Sequence, residues 1–151
     1  MRVVWAAVTN QAPHVWRTLG YRRISSAAGM STVEWDASPD YCFPTETGPV
    51  VQGGLVTALL DSAMGGACWS VLGEGETFLT ADLRVEFLRS ARPGKLTASG
   101  SVVRRTRRVV FCAAELFDPD GTLLAASRCT QIVLPGDGPA SRSLPPLDER
   151  P

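Results

Sequence analysis

The sequence predicts an α+β fold in which one antiparallel β-sheet wraps around a single long central helix. Three observations carry that prediction. From Val50 to about Leu72 the chain is an almost unbroken run of apolar residues and glycines, with Asp61 at its centre. After this run come segments of strand character, divided by turn signals at Arg92-Pro93-Gly94 and Asp118-Pro119-Asp120-Gly121. Before it, Ala28-Gly29 separates two shorter strand-like segments, as in a hairpin. A helix that is apolar on nearly every face has to be enclosed, and a sheet curled around it does so.

Each element follows from its local pattern. Met1 to about Pro13 carries no clear signal, an extra strand or a loose leader, and His14–Leu19 suits a short helical turn. Tyr21–Ala27 and Ser31–Asp36 form the hairpin; Val33 and Trp35 alternate with Thr32, Glu34 and Asp36, a half-buried strand pattern. Pro39 to Val51 reads as loop, with Pro44, Gly48 and Pro49 as breakers. The Asp61 helix is expected from about Gly53 to about Gly73. In Thr77–Leu88, Leu79, Ala81, Leu83, Val85 and Phe87 are expected on one face and Thr80, Asp82, Arg84 and Glu86 on the other. Lys95–Arg105, Arg107–Phe117 and Thr122–Leu134 complete the sheet. The expected organisation is a leader over residues 1–18, one domain over 19–135 and a flexible tail over 136–151.

Composition narrows the function classes. The chain has 151 residues, enough for one domain with a full core, and 15 basic residues against 15 acidic ones. Whole-chain charge therefore points to neither a nucleic acid nor a membrane. Between Arg84 and Arg108, however, arginines and Lys95 outnumber the acids, Glu86 and the nearby Asp82, a local excess able to receive an anionic group. Cys42, Cys68, Cys112 and Cys129 have neither zinc spacing nor a Cys-x-x-Cys pair, which suits core thiols in a reducing, cytoplasmic setting. The central apolar run is long enough to span a bilayer, but Asp61 and the glycines inside it argue against that. Arg107–Phe117 is apolar on both faces, so one face can cover the helix while the other calls for a partner chain.

Asp61 is the residue on which chemistry would turn. A buried carboxylate without a partner is expensive, and buried acids with shifted ionisation cluster at functional sites. The plain alternative is that Asp61 points to solvent, or bonds the hydroxyl of Ser62 or Thr57.

The order of Gln52-Gly53-Gly54 opening the helix, Asp61 eight residues after Gly53, Thr80-Ala81-Asp82-Leu83, Phe87 to Gly94, Val102 to Arg105 and Asp118 to Ala125 resembles the hotdog-fold acyl-CoA thioesterases. The likeness is strongest to the phenylacetate-pathway (PaaI-type) branch and runs from about Leu19 to Leu134. It implies hydrolysis of an acyl-CoA to a carboxylic acid and free coenzyme A, with no metal and no cofactor beyond the coenzyme A of the substrate. It implies roles for three residues: the Gly53 amide as donor to the thioester carbonyl, Asp61 as nucleophile or general base, and Thr80 as holder of the water. Physics agrees with this assignment. A helix N-terminus has free amide protons and a positive dipole end, and a desolvated carboxylate is more basic. Eight residues of helix separate Gly53 from Asp61 by roughly 12 Å, too far for both to serve one carbon. Pairing Gly53 of one subunit with Asp61 of another resolves this, and the family builds its sites at a dimer interface. A homo-oligomer, a dimer or a dimer of dimers, is the expectation.

Two positions depart from the family pattern, which has His at Gln52 and Asn or Gln at Glu46. Glutamine hydrogen-bonds but cannot titrate, and a second carboxylate at Glu46 either raises the pKa of Asp61, acts as a base or faces solvent. With Gln52, Glu46 and Gly54, the candidate substrate contacts are Arg89, Arg92, Arg105, Arg107 and Arg108, suited to phosphates of coenzyme A or, more plainly, a solvated sheet edge. Trp35, Tyr41, Phe43, Trp69 and Phe78 suit an acyl pocket or, for most of them, the core. His14 lies outside every motif, against a Ser-His-Asp triad. Three other readings stand beside the hydrolase: a non-catalytic acyl-CoA-binding module, a hydratase or dehydratase, for which no histidine is near the helix, and a structural protein with a satisfied Asp61.

Overall fold

The computed structural model describes residues 12–136 of the chain. The expectations for the leader before residue 12 and for most of the tail lie outside the described residues. The elements are α1 (His14–Leu19), β1 (Tyr21–Ala27), β2 (Met30–Ala37), a 3₁₀ turn (Pro39–Tyr41), β3 (Cys42–Phe43), β4 (Val50–Val51), α2 (Gly53–Trp69), β5 (Glu76–Phe87), β6 (Gly94–Arg105), β7 (Val109–Phe117) and β8 (Leu123–Pro135). The six long strands form one antiparallel sheet in the order β1-β2-β6-β7-β8-β5, so α2 carries the chain from one side of the sheet to its far edge. The architecture is the α+β arrangement expected.

The core lies between α2 and the concave face of the sheet. Val56, Leu59, Leu60, Ala63, Met64 and Cys68 of the helix share one core with Val33, Trp35, Leu96, Ala98, Val110, Cys112, Ala114 and Leu116. The helix lies chiefly against β6, β2 and β7. β6 passes so near its backbone that a Cβ on Gly100 would stand 2.4 Å from the Ala63 carbonyl oxygen, so only glycine fits there. Trp35 is wholly buried, donates its indole N–H to Leu19 O at 2.7 Å and meets Tyr21 edge-on. Tyr21 in turn donates to Leu55 O at 2.9 Å, tying β1 to the first turn of α2.

The structure departs from the expectations at four places. The helix stops at Trp69 rather than near Gly73, because the Val71 and Leu72 amides tighten onto Cys68 O and Trp69 O in 3₁₀ fashion. The loop from Pro39 to Val51 contains the 3₁₀ turn and the two-residue strands β3 and β4, elements too short to give a pattern. The helix is not enclosed all round: Asp61, Ser62, Gly65 and Gly66 form a half-buried strip along it.

The fourth departure is in β5, where the ladder to β8 slips between Thr80 and Asp82: Thr80 lies opposite Gln131, while Asp82 lies opposite Thr130. Ala81 is the extra residue of a β-bulge, and a bulge reverses the facing of all that precedes it. Phe78 and Thr80 therefore share the helix side with Leu83 and Val85, while Leu79 is turned outward and 46% exposed. The Asp82 carboxylate accepts the Thr130 amide at 3.1 Å, bracing the slipped ladder.

Candidate active site

The bulge brings Thr80 to Asp61. Thr80 Oγ1 lies 3.1 Å from Asp61 Oδ1 and 2.8 Å from Gln131 Oε1. The alternative partners for Asp61, Thr57 and Ser62, are engaged elsewhere. Thr57 donates its hydroxyl to Gly53 O and Ser62 donates to Ala58 O, both at 2.8 Å, so neither serves Asp61. Burial raises the Asp61 pKa above the usual carboxylate range, and the Thr80 hydrogen bond opposes it in part.

Asp61 and Thr80 stand in the wall of a cavity of about 280 Å³. The rest of its lining is mainly apolar, with Val15 and Trp16 from α1, Gly65, Gly66 and Trp69 from α2, and Phe78 and Leu79 from β5. Arg23 lies in the same wall, its guanidinium 5.4 Å from the centre of the Trp16 ring. Trp69 and Phe78 are thus both core and cavity residues, Trp35 is core, and Phe43 is 60% exposed. A larger hollow, about 440 Å³, lies on the outer side of the sheet between Asp82, Arg84, Phe111, Arg128 and Thr130, away from Asp61.

At the head of α2, Gln52 is the N-cap: its side-chain oxygen accepts the Leu55 amide at 2.9 Å. Gly54 makes room for that side chain, since a Cβ there would come within 2.8 Å of Gln52 Oε1. Among the described residues the Gly53 and Gly54 amides have no backbone acceptor, as the first turn of a helix requires. Gly53 and Asp61 sit on the same helix, so within one chain they are not brought together. Glu46 is exposed in the loop between β3 and β4 and lies outside the cavity wall.

The arginines do not form one patch. Arg89 and Arg92 lie in the connection from β5 to β6, at the end of the molecule where α2 begins, since Val51 N bonds Ala91 O. Arg92 is tied down by Pro49 O at 3.1 Å and Thr47 Oγ1 at 2.9 Å. Arg105 is at the other end, paired with Glu76 at 2.7 Å and bonded to Val71 O, and Arg107 and Arg108 occupy the adjacent turn. Among the described residues no three His, Cys, Asp or Glu side chains are grouped to hold a metal ion.

Sequence reasoning overlooked Gln131 and Arg23. Gln131 is wholly buried, and its signal is a polar residue in the inward period of β8 with Ala125, Ser127 and Cys129. Arg23 offers no such signal, because strand arginines are common.

A sequence profile of the thioesterase superfamily matches residues 48–125, from the loop before β4 through α2 and Thr80 into β8. The chain belongs to the thioesterase superfamily. Among relatives of this superfamily chain, the medium/long-chain acyl-CoA thioesterase YigI of Salmonella typhimurium is 31% identical over 97 residues. That match covers 56% of this chain and 63% of the relative, so the chain spans less than two thirds of its length. A phenylacetic acid degradation-related protein of Ralstonia eutropha JMP134 superposes with a TM-score of 0.70 at 30% identity, over 80% of this chain and 90% of that one. The PaaI protein of Escherichia coli superposes with a TM-score of 0.75 at 21% identity, over 83% and 87% of the two chains, a likeness of fold. The fold of this thioesterase-superfamily chain is the hotdog fold. Among its described residues no helix is long and apolar enough to cross a membrane.

Proposed function

We propose that the protein is an acyl-CoA thioesterase, hydrolysing an acyl-CoA to the carboxylic acid and free coenzyme A. The observation that carries this reading is the half-buried Asp61, bonded by the exposed Thr80 hydroxyl, in the wall of an otherwise mainly apolar cavity. An acid of raised pKa is a stronger base, and an apolar wall beside it suits an acyl chain. Asp61 takes a proton from water as the water oxygen attacks the thioester carbon, or attacks that carbon itself to give an anhydride that water then opens. In both routes the carbon–sulfur bond breaks, and the sulfur of coenzyme A leaves and takes up a proton. Thr80 orients the water or the carboxylate.

Charge on the carbonyl oxygen is received by the Gly53 amide at a helix start, where free N–H groups and the helix dipole favour it. Because Gly53 and Asp61 share one helix, the working pair spans two subunits, with the partner subunit's Gly53 facing Asp61. A homodimer is then the smallest active unit. Gln52 acts by capping the helix and Gly54 by admitting that cap, while Glu46 remains a peripheral candidate. Arg89 and Arg92, at the Gly53 end, are the first choice for phosphates of coenzyme A, and Arg107 and Arg108 the second. Arg105 has its hydrogen bonds with Glu76 and Val71 O to keep. At about 280 Å³ the cavity is near the small end of ligand pockets, roughly 300–1,000 Å³, which favours a compact acyl group. The buried, reduced thiols fit a cytoplasmic home.

The test is thiol release from a panel of acyl-CoAs by the wild type beside Asp61→Ala and Asp61→Asn. Turnover that falls about 100-fold or more in both variants is the expected result. Binding of acyl-CoA without thiol release across the panel would hand the site to the binding-module reading.

A further inference from the structure

Thr80 has one hydroxyl proton, yet two oxygens stand within reach of it, Asp61 Oδ1 at 3.1 Å and Gln131 Oε1 at 2.8 Å. The second is an amide buried to 0% exposure, whose other end lies 3.2 Å from Cys129 Sγ. A buried amide keeps both ends satisfied, and turning it about its last bond exchanges donor and acceptor without moving heavy atoms. With a charged Asp61 one arrangement gives the carboxylate the Thr80 proton and still leaves a partner at each end of the amide. The Cys129 thiol donates to Gln131 Oε1, Gln131 Nε2 donates to Thr80 Oγ1, and the Thr80 hydroxyl donates to the carboxylate. The opposite arrangement sends the Thr80 proton to Gln131 and leaves the carboxylate without it.

We propose that Gln131 is a positioning residue of the site: its side-chain amide, donating to Thr80 Oγ1, aims the Thr80 hydroxyl at Asp61 and holds the carboxylate in its working orientation. The inference rests on the hydrolase reading for its kinetic consequences but not for its geometry. Gln131 touches neither water nor substrate in this scheme; it acts through Thr80. The register shift at Ala81 is what makes this possible, because it sets Thr80 on the helix side of the sheet, directly opposite Gln131. Donation from Gln131 also polarises the Thr80 hydroxyl, which strengthens its bond to the carboxylate. The groups facing this chain are few. Cys129 and Cys112 come from β8 and β7, Cys68 from the helix itself, and Arg23 from β1 shares the cavity wall. Cys129 is held protonated, far above the working range, by Cys112 beside it and by burial. In Cys112 the neighbouring Cys129 acts downward, but Cys68 and burial carry the thiol up to about 12. Both thiols therefore keep their protons, and Asp61 is the acid of this hydrogen-bonded chain.

The experiment uses Gln131→Met, which keeps length and removes the amide, alone and combined with Thr80→Val. The expected result is a kcat lowered roughly tenfold, about the worth of one hydrogen bond, with KM within about twofold. The acid limb of the kcat profile moves to higher pH, since a carboxylate that loses its donor holds its proton longer. In the Thr80→Val background the further change to Met has no effect on kcat. A second reading needs no turnover: the Asp61 carboxyl stretch, from infrared difference spectra against Asp61→Asn, titrates at higher pH in Gln131→Met. A folded Gln131→Met with wild-type kcat and wild-type titration overturns the proposal, as does a loss of equal size with and without the Thr80 hydroxyl. If Gln131→Met does not fold, Gln131→Asn, which withdraws the amide by one carbon, takes its place under the same criteria. If no acyl-CoA is hydrolysed, the hydrolase reading falls, and the infrared titration alone decides this one.

Discussion

At the scale of the residue, the role proposed for Asp61 sets catalysis against stability. Burial raises its folded-state pKa, with the Thr80 hydrogen bond as partial compensation, so between the unfolded and the folded pKa the native chain holds a proton that the unfolded chain has lost. Stability then falls as pH rises through that window and stays lowered above it. Asp61→Asn should melt higher than wild type at neutral pH, each kcal/mol relieved being worth roughly 2–8 °C, and lose that advantage below the ordinary aspartate pKa. Thermal unfolding of both proteins across pH measures it; equal melting temperatures at neutral pH would mean that the fold bears no penalty for the charge. Gln52 gives the opposite kind of prediction. As an N-cap it contributes about 1 kcal/mol, so Gln52→Ala should melt lower while leaving the shape of the kcat–pH profile unchanged. A lost or displaced limb would instead make Gln52 a member of the proton path.

At the scale of the element, the bulge in β5 decides which face of the strand presents Thr80. Asp82→Ala removes the acceptor of the Thr130 amide beside the bulge, with an expected loss of about 1 kcal/mol and a reduced kcat as Thr80 drifts from Asp61. Deleting Ala81 goes further: a regular ladder would turn Thr80 outward and Leu79 inward, abolishing turnover in a chain that still folds. Thiol release and thermal unfolding on the two variants test this together. The same element shows where sequence reasoning runs out. The helix, the order of strands and the inward position of Val33 and Trp35 were legible because each rests on a pattern repeated over many residues. Asp61 was legible because a charge in an apolar run needs a reason. The facing of Thr80 was not, since Phe78 and Leu79 are both apolar and either can begin a period-two pattern. A bulge is one residue of irregularity, settled by cross-strand partners 50 residues away in sequence rather than by local preference. Gln131 was hidden for the same reason: its role exists only once the register places it opposite Thr80.

At the scale of the whole molecule, the proposed site needs a second chain. The ring of Phe87 packs against Gly53, and Phe87, Leu88 and Phe43 are 57%, 52% and 60% exposed, apolar ground better suited to a partner subunit than to water. β5 is an edge strand with pairing groups to spare. If Gly53 of one subunit serves Asp61 of the other, two dead variants should restore each other. Gly53→Pro removes the amide proton at the first helical position, where proline is tolerated, and Asp61→Asn removes the base. Each homodimer should release almost no thiol. In a heterodimer, one site joins the intact Gly53 of the Asp61→Asn subunit to the intact Asp61 of the Gly53→Pro subunit, while the other site lacks both. Unfolding and refolding an equal mixture gives half heterodimers, each with one live site of two, hence about a quarter of wild-type activity if subunits pair at random in a twofold-symmetric dimer. A site built wholly within one chain predicts no recovery at any mixing ratio. Thiol release measured across a series of ratios, with its maximum at equal amounts, therefore separates the shared site from the private one without a structure of the dimer.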